Sequence, residues 1–340
     1  MRAMNHHHTT RCARLLAARH FRKRLAASVA AFAFSAALAG AQNFNIQINT
    51  PTLDKRMYPF SSGGGASFDG YTFGAFQTDP GQFDDRDAQF YVGFNTTGTV
   101  AAGLGASRYI ITSAKLTLTL TTTAADAVIY DSTYDPISTY APDGTSTNGD
   151  DPGRPIELYG AGFRNGFTNL TLQESTGFSP NGFADASNEG VRNVFATDNA
   201  SGTARDVSNN LRDAFNPKPF AIGTVSANDL NADGTLKAFA QVTFNLDLTN
   251  PDVVAYLQGD LNDGRVSLIA SSLHTASQGG ATIYPDFYTK EFGVTGGPAQ
   301  LSIQGQIVPE PNTATLAILG LSLIAFWRNR RGFSDTDFLP

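Results

Sequence analysis

The sequence predicts an all-β protein, a jelly-roll-like antiparallel β-sandwich with one or two short helices. Three observations lead there. Stretches of alternating or β-branched residues recur along the chain, and clusters of Gly, Asn and Asp separate them. Helical periodicity is confined to two segments, with no regular alternation of strand and helix. The 33 glycines among 340 residues agree with a chain of strands and turns.

The predicted strands run in order through NFNIQINT from Asn43, AQFYVGFN from Ala88, YIITSAKLTLTLTTT from Tyr109, FAQVTFNLDLT from Phe239, RVSLIASSL from Arg265 and AQLSIQGQI from Ala299. Within the third, Leu116, Leu118 and Leu120 share one face and threonines the other, the period of two that marks a half-buried antiparallel strand. Turn-forming runs such as FSSGGGAS and APDGTSTNGDDPGRP lie between strands. One helix is predicted in NPDVVAYLQGDLNDG, with Asn250 as cap, Pro251 at the first helical position, Asp252 in the first turn and Gly259 near the exit. A second is predicted in ARDVSNNLRDAF, where Val207, Leu211 and Phe215 stand four apart. No repeat or linker divides the body, which is expected to be one domain over residues 42–307.

The two ends are built differently. Residues 1–41 hold seven basic and no acidic residues, and the apolar run Leu25–Ala39 follows Arg22-Lys23-Arg24 directly. Small residues then satisfy an A-x-A cleavage rule, so residues 1–41 are expected to be a secretory signal peptide, with Gln42 first in the mature chain. At the other end Thr313–Trp327 carries no charge, and Arg328, Arg330 and Arg331 follow it. As a helix it rises ~22 Å against a hydrocarbon core of about 30 Å, enough to span if the arginines snorkel. Positive charges stay cytoplasmic, which puts the body outside.

Without the seven basic residues at the start and the three basic and two acidic residues of 328–340, residues 42–327 keep 14 basic and 28 acidic side chains, a net of −14. Such a body repels phosphate backbones, so no nucleic-acid partner is expected. The single cysteine, Cys12, and four of the five histidines lie in the leader, leaving His274 as the one imidazole of the body. That excludes a cysteine nucleophile, a disulfide framework, a Cys-type zinc site and a multi-histidine metal site.

Val308-Pro309-Glu310-Pro311, the apolar segment and Arg328-Asn329-Arg330-Arg331 together resemble the PEP-CTERM sorting signal of exported bacterial proteins, here over residues 308–331 with a short tail at 332–340. The resemblance implies recognition by an exosortase-type membrane transpeptidase that cuts near Pro309, Glu310 and Pro311, with Arg328, Arg330 and Arg331 completing the signal. The expected partners are therefore the secretory translocon, the membrane and that enzyme. The chain would be exported, transiently anchored in the inner membrane and then released to the cell surface or beyond. RDAQFYVGFN, RYIITSAKLTLTL, PDFYTKEF and AQLSIQGQI also resemble the strand pattern of DNRLRE-type jelly-roll modules, which supports the sandwich.

Candidate chemistry in the body is sparse. Asp84, Asp85 and Asp87 offer clustered oxygens for a structural Ca²⁺, the one cofactor the residues suggest, although acids ahead of a strand also simply solvate a loop. DLNADGTLKAFA from Asp229 copies the start of an EF-hand loop but has Ala240 where the bidentate Glu belongs, so it reads as a turn. His274 has Ser271 and Ser272 nearby but no nucleophile elbow. Glu157 and Glu291 sit beside aromatics and are the candidate acid–base carboxyls, although acids near strand ends also hold loops by hydrogen bonds. Tyr130, Tyr134, Tyr140 and Tyr159 surround a long loop, and Tyr130, Tyr134 and Tyr159 are the candidate stacking surfaces for a sugar. The expectation is a non-enzymatic surface or matrix protein associated with extracellular polysaccharide or adhesion. The alternatives are a carbohydrate-binding module, or a polysaccharide-active hydrolase or lyase.

Overall fold

The computed structural model describes residues 41–59, 69–74, 85–121, 128–140, 153–182, 190–274, 284–293, 297–309 and 320–324. The chain divides into two compact units, Asn43–Ile307 on the one hand and Met1–Gln42 with Val308–Pro340 on the other.

The first unit is an antiparallel sandwich. Its smaller sheet has four strands in the order β1 (Gln42–Ile48), β12 (Gln300–Ile307), β5 (Tyr109–Thr119) and β9 (Gln241–Asn245). The larger has six: β2 (Leu53–Met57), β4 (Gln89–Asn95), β10 (Arg265–Ser272), β6 (Ile156–Phe163) and β7 (Val194–Thr197) in order, with β8 (Ala221–Ile222) also on β6. A two-stranded ribbon pairs β3 (Asp69–Tyr71) with β11 (Asp286–Tyr288). It adjoins the end of β5, where the Thr121 N–H donates to the Asp286 carbonyl at 2.8 Å.

Alternation places the main core. Leu116, Leu118 and Leu120 are fully buried, and they meet Phe90, Val92 and Phe94 of β4, Leu158 of β6 and Val266, Leu268 and Ala270 of β10 from the facing sheet. Phe44, Ile46, Val242, Phe244, Leu301 and Ile303 complete this layer. At Gly305 in β12 the pairing with β5 shifts register. A Cβ there would lie 2.3 Å from the Ile110 carbonyl oxygen, so the bulge requires glycine.

The helix α1 (Pro251–Asp263) forms as its caps dictate. The Asn250 side chain accepts the Asp252 N–H at 3.0 Å, and Pro251 occupies the first turn. Val253, Leu257 and Leu261 recur every four residues and enter the main core. That stripe carries the helix past Gly259 to Gly264, whose φ of 87° makes the left-handed cap.

The other predicted helix does not form. Residues 208–214 make successive turns, and Ala214 has a φ of 53°. Asp206 accepts the Ser208 N–H, Arg86 Nε donates to the Asn210 side chain and the Arg212 N–H donates to Asp85. The local Asp206 turn and the two long-range bonds to Arg86 and Asp85 outweigh a weak helical propensity in which Ser, Asn and Asp already compete for backbone partners.

Those turns cover the far face of the large sheet. There Leu53, Met57, Tyr91, Tyr159, Ala161, Val194, Ala196 and Ile269 pack against Leu172, Phe178 and Val207 from the loops. The strand QFYVGFN is consequently buried on both faces, not half-buried.

Candidate functional site

The far face of the large sheet carries a layer of buried charge. Arg86 lies just before β4, and its guanidinium pairs with Glu157 of β6, both side chains being 3% exposed or less. Arg86 also donates through Nε to Asn210 at 2.8 Å, and its guanidinium lies 5.3 Å from the Tyr159 ring centroid. Arg192 is fully buried and donates to the carbonyls of Met57, Arg86 and Asp87 at 2.7–3.1 Å. Gln89 adds a bond to Ser208 at 2.8 Å and accepts the Ala196 N–H at 2.9 Å. Arg86–Glu157, Arg192–Met57 and Gln89–Ser208 each tie a loop to the sheet, so the layer fastens the cover.

Three of the predicted tyrosines gather here and one does not. Tyr159 is fully buried, and burial raises its phenol well above the ordinary range. It presents no ring face to solvent and cannot stack on a sugar in this fold. Tyr134 is half-buried, and its phenol is pushed up to about 12, by burial first and then by Glu157. Tyr140 is buried with its hydroxyl donating to Asp135 at 2.8 Å and its ring under Arg154 at 5.0 Å. Tyr130 packs on the main core instead, its hydroxyl accepting the Val225 N–H at 3.4 Å.

Of the aspartates proposed for calcium, Asp84 lies outside the described residues. The Asp85 carboxylate accepts the Arg212 N–H at 2.8 Å and faces its guanidinium at 3.3 Å. Asp87 is buried, with its carbonyl held by Arg192. In the EF-hand-like stretch Asp233 accepts both the N–H and the hydroxyl of Thr235, at 3.0 and 2.7 Å, and Leu230 pairs with Leu236 across the turn. The carboxylate closes that turn.

The described residues bring together a carboxylate trio that the sequence does not reveal: Asp54, Glu174 and Glu291, with ligand atoms within 4.8 Å of one another. The Lys290 ammonium sits among them, 3.1 Å from Asp54, 2.9 Å from Glu291 and in direct contact with Glu174. The Lys290 N–H donates to Asp54 as well, at 2.8 Å. Burial raises the Asp54 carboxyl to about 6, and Lys290 restrains the rise. Beside them Lys55 is buried, pushed down to about 8, and donates to the carbonyls of Glu174 and Thr176. An internal ammonium holds the place a cation would take. Glu291 stood out in sequence only for its aromatic neighbours. Asp54 and Glu174 lie 236 and 119 residues from their lysine partners, Lys290 and Lys55, and carry no local signal.

His274 is buried, and its imidazole is pushed down to about 3, by burial first and then by Arg154. The Ser272 hydroxyl donates to the Thr72 carbonyl at 2.8 Å, so it is anchored to the neighbouring ribbon.

Of the C-terminal signal, Val308, Pro309 and residues 320–324 are described. The latter are helical, with Leu321, Leu323 and Ile324 about two-thirds exposed. Glu310, Pro311, Arg328, Arg330 and Arg331 lie outside the described residues, as does the predicted leader at 1–40. No helix among the described residues is long and apolar enough to cross a membrane.

Fold and termini define a class, an antiparallel β-sandwich body followed by a C-terminal address. The family model for the PEP-CTERM protein-sorting motif matches residues 308–331, and no curated protein matches the chain. The chain carries that motif and is thereby an exported protein, sorted through the membrane by an exosortase-like enzyme.

Proposed function

We propose that this is a non-enzymatic surface or matrix protein whose sandwich body associates with extracellular polysaccharide or mediates adhesion after cleavage near Pro309-Glu310-Pro311. The sorting motif at 308–331 carries the reading. A transpeptidase-read signal delivers a body to an envelope destination, and a body of net −14 is matched to neither nucleic acid nor anionic lipid. The structure lends support to a non-catalytic role. Glu157 is paired with Arg86, Glu291 with Lys290, and His274 is buried. The two glutamates that sequence analysis singled out for acid–base chemistry are thus held in ion pairs, and the imidazole is shut away from solvent.

Deleting residues 309–331 and fractionating the producing cells tests the address. The intact chain should reach the surface or medium in processed form, and the deletion variant should not. Identical distribution of the two would reject the reading.

A further inference from the structure

Where β9 begins, the chain makes a tight turn in which the Ala240 N–H donates to the Lys237 carbonyl at 3.1 Å. The corner residue is Phe239, with a φ of 64°. That left-handed conformation suits glycine or asparagine and is strained for an aromatic residue. The strained position nevertheless holds a phenylalanine that is 51% exposed. Its ring stacks on Tyr288 of β11, centroids 5.8 Å apart and planes within 18°. The ring of Phe292, itself 44% exposed, lies 4.4 Å from Tyr288 and is tilted to it by 52°. Tyr288 is 2% exposed, so the three rings form a row with a buried middle and two open ends.

The row is rigid. Phe292 ends a single helical turn, Lys290–Phe292, whose first residue is fixed to Asp54 through both its N–H and its ammonium. The Lys290–carboxylate cluster therefore positions one end of the row. The strained turn positions the other. Such preorganisation favours binding of a stacked ligand.

The size and charge of the patch select its occupant. Two aromatic side chains at these exposures offer together about 200 Å², against the about 800 Å² per partner that a stable protein interface buries. That area fits one or two sugar rings laid by their C–H faces on the aromatics. Of the adjoining acids, Asp54 is buried on Lys290, while Glu174 and Glu291 stay partly exposed and can accept hydrogen bonds from hydroxyls and disfavour carboxylates and sulfates. Lys290 is engaged by those acids. On this geometry, and resting on the polysaccharide association argued above, we propose that Phe239 and Phe292, joined through Tyr288, form a stacking platform for a neutral glycan chain.

Affinity electrophoresis of the full chain in gels containing galactomannan, hydroxyethylcellulose or the polyuronate alginate tests this. Retardation is expected with at least one neutral glycan and not with alginate. The double variant Phe239→Gly/Phe292→Ala should bind at least about tenfold more weakly, the loss typical of removing a stacking ring. Glycine suits the backbone at position 239, so the variant should unfold at no lower temperature on that account, whereas Phe292→Tyr should keep binding. Undiminished binding by the double variant would overturn the platform and leave polysaccharide association standing. Absence of binding to every glycan would overturn both. Ring-dependent binding to alginate, or self-association in sedimentation that the double variant loses, would assign the patch to another occupant and likewise reject the proposal.

Discussion

The two faces of the six-stranded sheet are both buried, yet they are made from different chemistry. The inner face meets the second sheet through Phe90, Val92, Leu158 and Leu268, all apolar and all at 0% exposure. The outer face is covered by loops, and Arg86, Glu157, Arg192, Gln89 and Lys55 are interleaved with its apolar residues. An apolar layer tolerates loss of a contact in proportion to the cavity left. A layer of paired charges penalises loss of one partner with the full desolvation of the other.

That contrast sets the expected size of substitutions. Glu157→Ala, which strands the Arg86 guanidinium in the interior, should destabilise by about 3–5 kcal/mol in urea titrations followed by circular dichroism. The double variant Arg86→Met/Glu157→Leu should recover most of that loss, because no buried charge is left alone. Equal damage from single and double variants would show that the pair contributes as shape, not as charge. On the inner face Leu268→Ala should cost about 2–5 kcal/mol through its cavity, and no charge-neutralising partner substitution should rescue it.

Titration should separate two buried groups of opposite sign. Asp286, pushed up to about 7 by burial and by Asp69, holds a proton in the folded chain that the unfolded chain releases near pH 4. Its contribution to stability is fully present below about pH 4 and disappears as the pH rises through about 7. His274, pushed down to about 3, stays neutral where the unfolded imidazole charges, so stability falls as the pH drops from about 6.5 towards 3. Asp286→Asn should therefore exceed the wild type by about 2–4 kcal/mol at pH 8 and match it near pH 4. His274→Met should flatten the acid limb. Parallel stability curves for all three proteins would refute both assignments. The smallest effect belongs to the helix on the apolar side. Asn250→Ala removes a cap and should cost about 1 kcal/mol, read as a shift in thermal midpoint.

How much of this was legible follows the same division. Leu116, Leu118 and Leu120 announce their shared face by spacing alone, and Asn250-Pro251 announces a helix start through local hydrogen bonding. The inner layer and α1 were therefore readable. The strand at Ile156–Phe163 was overlooked because PIELYGAGF mixes Glu and three small residues with its apolar ones. Its glutamate is buried under the loops with a partner in Arg86, 71 residues away. The stretch from Ala204 looked helical because periodicity sees four-residue spacing and not the Asp85 and Arg86 partners that claim Arg212 and Asn210. Tyr159 looked like a surface ring for the same reason. Phe239 drew notice as a strand start, and its positive φ is a property of the folded turn that no spacing pattern expresses.

The place of β12 has a consequence for how the chain matures. It lies between β1 and β5, so it joins the earliest strand of the body to the middle of the sequence, and it ends at Ile307, one residue before the sorting motif. A polypeptide threaded start-first across a membrane can pair β5 with β9 early but cannot complete its smaller sheet until its last body residues have emerged. Completion of that sheet then coincides with arrival of the motif, and a prematurely terminated chain lacks both the keystone and the address.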